Sequence, residues 1–392
     1  MIRVAFIADT HADASSRWDE HCRIMDWIAE DLRSQRVDCV VHMGDVFDGQ
    51  STPTERTFIA DWCRKIADQV PLCLVAGNHD KKLDIQWLSK LRAKHPIIAT
   101  EEPGVWVVAG CAIAMLPWPR TANLLAAIGK PVAHEDSNRI AVEALRSILL
   151  GMRQQLAEHD GPRILAAHAM IEGSKTDSRQ PLVGLDMSIT TADLALAQAH
   201  FVGVGHVHAE NDMSFGDVPI VIPGCPYHRN FGEPGPCSYV IASFEHFAGE
   251  LTCPEGPGVR WHCEGYDRIP TPARPMLLLE AEWDGRALIG THRFADVDGA
   301  ECRLRYTCTS DQREAAAQNA RESREIMLQN GAVMVKLEEI LSVSTRARTP
   351  EITTAQTVGD KLKVVWKARD LRLGAEREAR LLSKALELEG EV

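Results

Sequence analysis

The sequence predicts an α/β protein: a two-sheet sandwich flanked by helices, followed by a small α/β cap and a C-terminal helical segment. Three observations predict it. Apolar runs alternate with amphipathic stretches from the first residues onward, a second series of short apolar runs separated by Gly and Pro follows a long helical stretch, and a proline-rich string precedes a further strand-helix-strand pattern. At 392 residues the chain also exceeds what one hydrophobic core usually organises. Domains are expected at 1–267, 268–341 and 342–392.

The first part reads as a strand at Val4 to Ala8, a helix from Arg17 to Gln35, a strand at Cys39 to His42, a helix from Thr54 to Ala67 and a strand at Leu72 to Ala76. Such alternation implies parallel strands with crossover helices, and ligands gather at the carboxyl ends of strands in sheets of this type. A region with Trp106, Pro117, Trp118 and Pro119 reads as hairpins and a loop. It is followed by a helix from Ser137 to His159, with Ile140, Ala144, Ile148 and Met152 at four-residue spacing. Strands at Arg163 to Ala167, Phe201 to Val204, Ile220 to Ile222 and Ser238 to Phe244 complete the second sheet. The prolines 270, 272 and 275 stiffen the chain and break ladders, which sets the first domain boundary.

The cap reads as strands at Met276 to Glu282, His292 to Phe294 and Cys302 to Cys308, a helix from Asp311 to Asn330 and a strand at Val333 to Glu338. Two helical stretches, Asp360 to Leu373 and Ala375 to Glu389, are split by Gly374. Between Leu341 and Leu386 ten basic residues face five acidic ones, in a chain whose formal charge is -12. That acidity argues against a generic nucleic-acid surface, so any DNA contact must be local, although metal ions can supply the charge that meets a phosphate.

The apolar run before Asp9 is too short for a signal peptide, and no later run approaches the roughly 18 apolar residues of a membrane helix. Eleven cysteines stand singly, without a CxxC pair. A soluble protein of a reducing cytoplasm, with no membrane contact, is expected.

Five blocks carry metal-binding side chains immediately after expected strands: Asp9-Thr10-His11, Gly44-Asp45-Val46-Phe47-Asp48, Gly77-Asn78-His79-Asp80, Ala167-His168-Ala169 and Gly205-His206-Val207-His208. Strand ends converge on one edge, so ligands distant in sequence can meet there, and the glycines permit the sharp turns. Mixed imidazole, carboxylate and amide donors suit manganese, iron or zinc, whereas an all-oxygen set points to magnesium or calcium. Two cations need a bridging carboxylate, for which Asp45 is the candidate, and they activate a water as nucleophile.

DxH, GDxxD, GNHD, a lone His and GHxH, in that order, resemble the calcineurin-like metallophosphoesterases. The resemblance implies two divalent metal ions, manganese first, with iron, zinc and magnesium as alternatives. It assigns Asp9, His11 and His208 to one metal and Asn78, His168 and His206 to the other, with Asp45 shared. It makes His79 the histidine that contacts the phosphate and protonates the leaving oxygen, oriented by Asp48. Gly205-His206-Val207-His208 followed by Pro223-Gly224-Cys225-Pro226 and Phe231-Gly232-Glu233 resembles the SbcD-type exonuclease branch, with Cys225 where that branch usually has Ser and without its Leu-Gly after His11. This implies a DNA exonuclease or endonuclease in repair or recombination, with DNA and an SbcC-type coiled-coil ATPase as partners, and it admits a homodimer. The alternative is a phosphodiesterase or phosphatase acting on a small nucleotide or phosphoprotein with the same metals.

Outside the blocks, His42, His95, His134, His159, His200, His246, His262 and His292 read as structural or surface residues. Asp13 and Asp80 read as turn caps. His228 and Arg229 read as a solvated loop pair, with phosphate contact as the alternative. Trp366, with Leu362, Val365 and Leu373, forms either a partner-binding stripe or a face docked on its own domain.

Overall fold

The computed structural model describes residues 1–128, 136–175, 187, 189–231, 233, 235–247, 260–290, 296–342, 355, 357–369, 371 and 373–390. Its first elements are β1 (Ile2–Ile7), α1 (Trp18–Gln35), β2 (Cys39–His42), α2 (Pro53–Ala67), β3 (Leu72–Val75) and β4 (Ile97–Thr100). There follow β5 (Gly104–Val108), β6 (Cys111–Leu116), α3 (Thr121–Ile128), α4 (Ser137–Ala157), β7 (Arg163–His168), α5 (Thr191–Ala195), β8 (Phe201–Gly205), β9 (Asn211–Phe215), β10 (Val218–Ile222), β11 (Ser238–Phe247) and β12 (Arg260–Pro270). Local chemistry sets the helix starts. Thr52 and Glu55 form a reciprocal capping box with Pro53 in the first turn of α2, and Thr190 and Asp193 do the same for α5.

Two six-stranded sheets result, in the orders β12-β11-β1-β2-β3-β4 and β5-β6-β7-β8-β10-β9. β1 to β4 are mutually parallel, as are β6, β7, β8 and β10, while β11, β12, β5 and β9 run antiparallel to their neighbours. The two-residue period of a strand sorts side chains into layers. Ala5 and Ile7 of β1 join the α1 and α2 residues Ile24, Ile28, Ile59 and Trp62, whereas Val4 and Phe6 meet Ile113, Ile164 and Phe201 of the other sheet. Leu145, Leu149, Met152 and Leu156 of α4 cover the outer face of the second sheet against Leu165 and Val202. Helix, sheet, sheet and helix therefore stack as four layers. Strands buried on both faces read as continuous apolar runs, which is how they appear in the sequence.

The chain divides into two compact units, Met1–Leu278 with Val297–Arg303 and Gly331–Met334, and Leu279–Asp296 with Leu304–Asn330 and Val335–Val392. The proline string acts later than position 267. β12 continues to Pro270, paired with Ser238 of β11, so residues 268–270 lie in the first sheet. β12 is an edge strand and Pro270 its last residue, where a missing N–H breaks no inner ladder.

Beyond it come β13 (Met276–Trp283), β14 (Leu288–Gly290), β15 (Glu301–Thr309), α6 (Arg313–Gln329) and β16 (Met334–Ser342), with a sheet in the order β14-β13-β15-β16. β15 alternates buried and half-buried residues along its length, the pattern of a sheet covered on one face. α7 (Val358–Ala368) and α8 (Ala375–Gly390) pack on each other, and Thr357 caps α7 by accepting from the Asp360 backbone N–H. The expected strand at 292–294 and the basic run at 346–350 lie outside the described residues. Among the described residues, no helix is long and apolar enough to cross a membrane.

Candidate metal centre

The carboxyl ends of β1, β2, β3, β7 and β8 meet at one edge of the sandwich, and all nine candidate residues gather there. The loops after β1 and β2 are zipped together: the N–H groups of Asp9, His11 and Ala12 donate to the carbonyls of Gly44, Asp45 and Val46 at 2.8 to 3.0 Å. Asp9, His11, Asp45 and His206 all adopt positive φ (55°, 42°, 54° and 102°), a region that non-glycine residues rarely occupy and that concentrates at functional sites. Gly77 is required for a different reason. A β-carbon there would collide with the Asp45 carboxylate and backbone nitrogen.

Asp45 sits between two clusters of donors. On one side its Oδ2 lies 3.6 Å from His11 Nε2, which is 3.1 Å from His208 Nε2 and 4.0 Å from Asp9 Oδ1. On the other side the same oxygen lies 3.4 Å from His168 Nε2, and Asn78 Oδ1 lies 2.9 Å from both His168 Nε2 and His206 Nδ1. Asp9 accepts the His206 backbone N–H through both carboxylate oxygens at 2.9 and 3.0 Å, and Asp45 Oδ1 accepts that of His79 at 2.8 Å. Asp9, His11, Asp45 and His168 are essentially buried.

Tautomers test whether this set fits a pair of cations. His168 Nδ1 donates to the Met43 carbonyl at 2.8 Å, which leaves Nε2 to face Asn78 Oδ1 and the Asp45 carboxylate. His11 Nδ1 donates to Asp48 Oδ1 at 3.0 Å, which aims its Nε2 at His208, Asp45 and Asp9. Lone pairs of nitrogen and oxygen thus converge at two points joined by Asp45. Only a proton or a cation shared between them satisfies such contacts. The residues fit a binuclear site, and the outward-facing N–H of each of these two imidazoles is held by a carbonyl or carboxylate, as metal-binding histidines require.

Electrostatics agree with that reading. Burial pushes Asp9 up to about 6 against the pull of His168 and His208, and burial lowers His11 and His206 to about 3, so both imidazoles are neutral. Burial also opposes charge on His168, yet Asp45 and Asp9 raise it to about 9. Asp45 itself lies well below the usual carboxylate range because His168 and His11 outweigh its burial. A proton on His168 balances the carboxylates in the protein alone; a divalent ion at that point supplies more positive charge.

Beside the pair lies a more open group. His79, 41% exposed, contacts Asp48 Oδ1 through Nδ1 at 3.2 Å, and Asp48 Oδ2 receives the Arg229 guanidinium at 2.7 Å. The hydrogen bond to Asp48 raises the His79 pKa against burial, with Asp45 adding to the effect. Asp48 is held well below the ordinary range: burial is outweighed by its bonds to His11 and His79 and by Arg229.

Arg229 corrects the sequence reading. It is a largely buried ion-pair partner of Asp48 rather than a solvated loop residue. Glu233 is likewise built in, with Oε1 3.5 Å from His208 Nδ1 and Oε2 accepting the Arg229 N–H at 2.6 Å. The His-Arg pair after the Gly-Cys-Pro turn is the one signal of this in the sequence. Trp118 is a further residue that the motifs do not point to; its ring packs over His206 with centroids 4.6 Å apart, and its backbone N–H donates to the Ala76 carbonyl.

Asp80 and Asp13 do cap turns. Asp80 accepts the N–H groups of Val46, Phe47 and Gly77, and Asp13 that of Ser15. His42 is structural: it is buried against the Thr10 hydroxyl at 2.9 Å.

Fold and donor set together define a metallophosphoesterase, and the chain belongs to the calcineurin-like phosphoesterase family, whose family model matches residues 2–209. Within that class it is similar to SbcD, one of the two components of the nuclease SbcCD. The Bacillus subtilis protein is 24% identical over 266 residues, covering 60% of this chain and 64% of that one, and the Escherichia coli K12 protein is 25% identical over 312 residues, covering 72% and 71%. The DNA double-strand break repair protein Mre11 of Methanosarcina acetivorans is 30% identical over 95 residues, 22% of this chain and 15% of that one. The match thus spans just under two thirds of the Bacillus protein's length.

Proposed function

We propose that this protein is a two-metal-dependent DNA nuclease, acting as exonuclease or endonuclease within an SbcCD-like repair or recombination complex. The observation that carries the chemistry is the Asp45 carboxylate, within 3.6 Å of His11 Nε2 and 3.4 Å of His168 Nε2, which joins two donor clusters into one paired centre. Similarity to SbcD over 60 to 72% of this chain supports DNA as substrate and an SbcC-type coiled-coil ATPase as partner.

In this proposal Asp9, His11 and His208 hold one cation, Asn78, His168 and His206 the other, and Asp45 both; manganese is the first candidate, with iron, zinc or magnesium as alternatives. When bound, the pair neutralises phosphate charge and lowers the pKa of an attacking water. His79 meets the phosphate from the open side. Bound to Asp48 through Nδ1, it uses Nε2 to protonate the leaving oxygen. Asp48 fixes that ring, and Arg229 keeps Asp48 ionised. The paired helices α7 and α8, which leave Val358, Leu371, Leu381 and Leu386 exposed around them, are the proposed ATPase-docking element, and a homodimer is the proposed assembly.

The test is cleavage of end-labelled linear duplex DNA with manganese, comparing the native protein with His79→Ala and Asp45→Ala. Nucleotide release lost in both variants supports the proposal. Intact DNA even with the ATPase partner present would sink it.

One observation favours a small nucleotide or phosphoprotein instead. A cavity of about 560 Å³ beside the centre is lined by Asp13, Asp48 and Glu55, and its acidity repels a polyanion. Asp45-dependent turnover of a cyclic nucleotide or phosphopeptide, with DNA untouched, is the outcome that selects this reading.

A further inference from the structure

Cys225 lies at the centre in a way that none of the nine candidate residues accounts for. Its Sγ, His11 and His208 offer three donor atoms that all lie within 4.8 Å of one another. The thiol is 4% exposed, yet it belongs to none of the three apolar clusters that hold buried cysteines such as Cys39, Cys63 and Cys73. Its position is fixed by the backbone. The Cys225 N–H donates to the His208 carbonyl at 3.0 Å, and Gly224, at φ 79°, brings the chain so close that a β-carbon there would sit 2.6 Å from that same carbonyl oxygen. The turn after β10 is thereby pinned to the loop after β8.

A second observation points to a ligand at this spot. His11 Nε2 and His208 Nε2 face each other at 3.1 Å, while the Nδ1 atoms of the two rings are turned toward Asp48 and Glu233. Nitrogens so oriented are aimed for a shared positive centre.

We propose that Cys225 supplies a sulfur donor to the His11 and His208 position, making it a mixed nitrogen, oxygen and sulfur site selective for zinc or ferrous iron over manganese. The inference rests on the two-metal reading and deepens it. Thiolate is a soft ligand that favours zinc and iron, whereas manganese favours carboxylate and water. The Asn78, His168 and His206 position has no sulfur within its donor group, so the two positions differ in character. Binding breaks the S–H bond, forms a metal–sulfur bond and releases the proton to solvent, with no change of oxidation state.

Cobalt(II) titration of chelator-treated full-length protein tests this by absorption, together with the bound-metal count. The expected result is two cobalt ions per chain and a sulfur-to-cobalt charge-transfer band in the near ultraviolet. Cys225→Ser, which replaces sulfur by oxygen at nearly constant shape, should keep both ions and lose the band. Its preference for zinc over manganese should fall by on the order of tenfold. Two bound ions without the band, or a band that survives in Cys225→Ser, overturns the sulfur donor while the two-metal reading stands. No bound cobalt overturns both. X-ray absorption of the zinc-loaded native protein needs no variant: a sulfur shell at about 2.3 Å supports the proposal, and a shell of nitrogen and oxygen alone rejects it.

Discussion

The two sheets contribute unequally to the centre. The first sheet supplies Asp9, His11, Asp45, Asp48, Asn78 and His79, a set dominated by oxygen, on loops zipped together by backbone hydrogen bonds and by Asp80. The second supplies His168, His206 and His208, all imidazole, with Trp118 packed over two of them. One half carries the negative charge and the shared ligand; the other carries neutral or cationic rings that balance it. Losses in the oxygen half should therefore abolish the pair, whereas losses in the imidazole half should remove one member.

The largest expected effect is Asp45→Asn. Phosphodiester hydrolysis should fall by about 10³-fold or more, and the bound-metal count should drop toward zero. His206→Ala sharpens the contrast, since elemental analysis should find one metal per chain instead of two; loss of both would erase the distinction between the halves. His79→Ala should lower turnover by about 10² to 10⁴-fold with the metal count unchanged, the signature of a proton donor rather than a ligand. Arg229→Ala should cost roughly tenfold through a mispositioned Asp48, recovered in part by Arg229→Lys. A deficit confined to thermal stability would make Arg229 purely structural.

The smallest effect concerns an imidazole of the second sheet away from the centre. Burial, with Arg163 and His262 adding to it, lowers His200 to about 4 from its ordinary 6.5. The unfolded chain then takes up a proton below pH 6.5 and the native protein only near pH 4, so this group's stabilisation is lost as pH falls through that window. Denaturant titration in chelator should show the advantage of the native protein over His200→Gln shrinking from about pH 7 to pH 4. A constant difference would mean that His200 is not held neutral.

Much of this was legible in the sequence because parallel strands with two buried faces appear as apolar runs, and the polar residue that ends each run marks the site edge. Asp9, Asp45, Asn78, His168 and His206 all announce themselves that way. Arg229 and Trp118 do not. Arg229 follows a turn like any loop cation, and its role depends on meeting Asp48 from the far end of the domain. Trp118 sits after β6, a strand that carries no metal-binding residue and so draws no attention. The reach of β12 was hidden because three prolines suggest a break, while an edge strand tolerates one at its end.

Asp80 has a consequence for how such chains diverge. One carboxylate receives backbone N–H groups from the loops after both β2 and β3, so replacing it would misalign Asp45 and Asn78 together although it touches no phosphate. Selection for folding alone would therefore preserve Gly77 and Asp80. A descendant that abandoned hydrolysis by losing His79 would still display most of the signature, and the resident of that one position says more about surviving activity than the architecture around it.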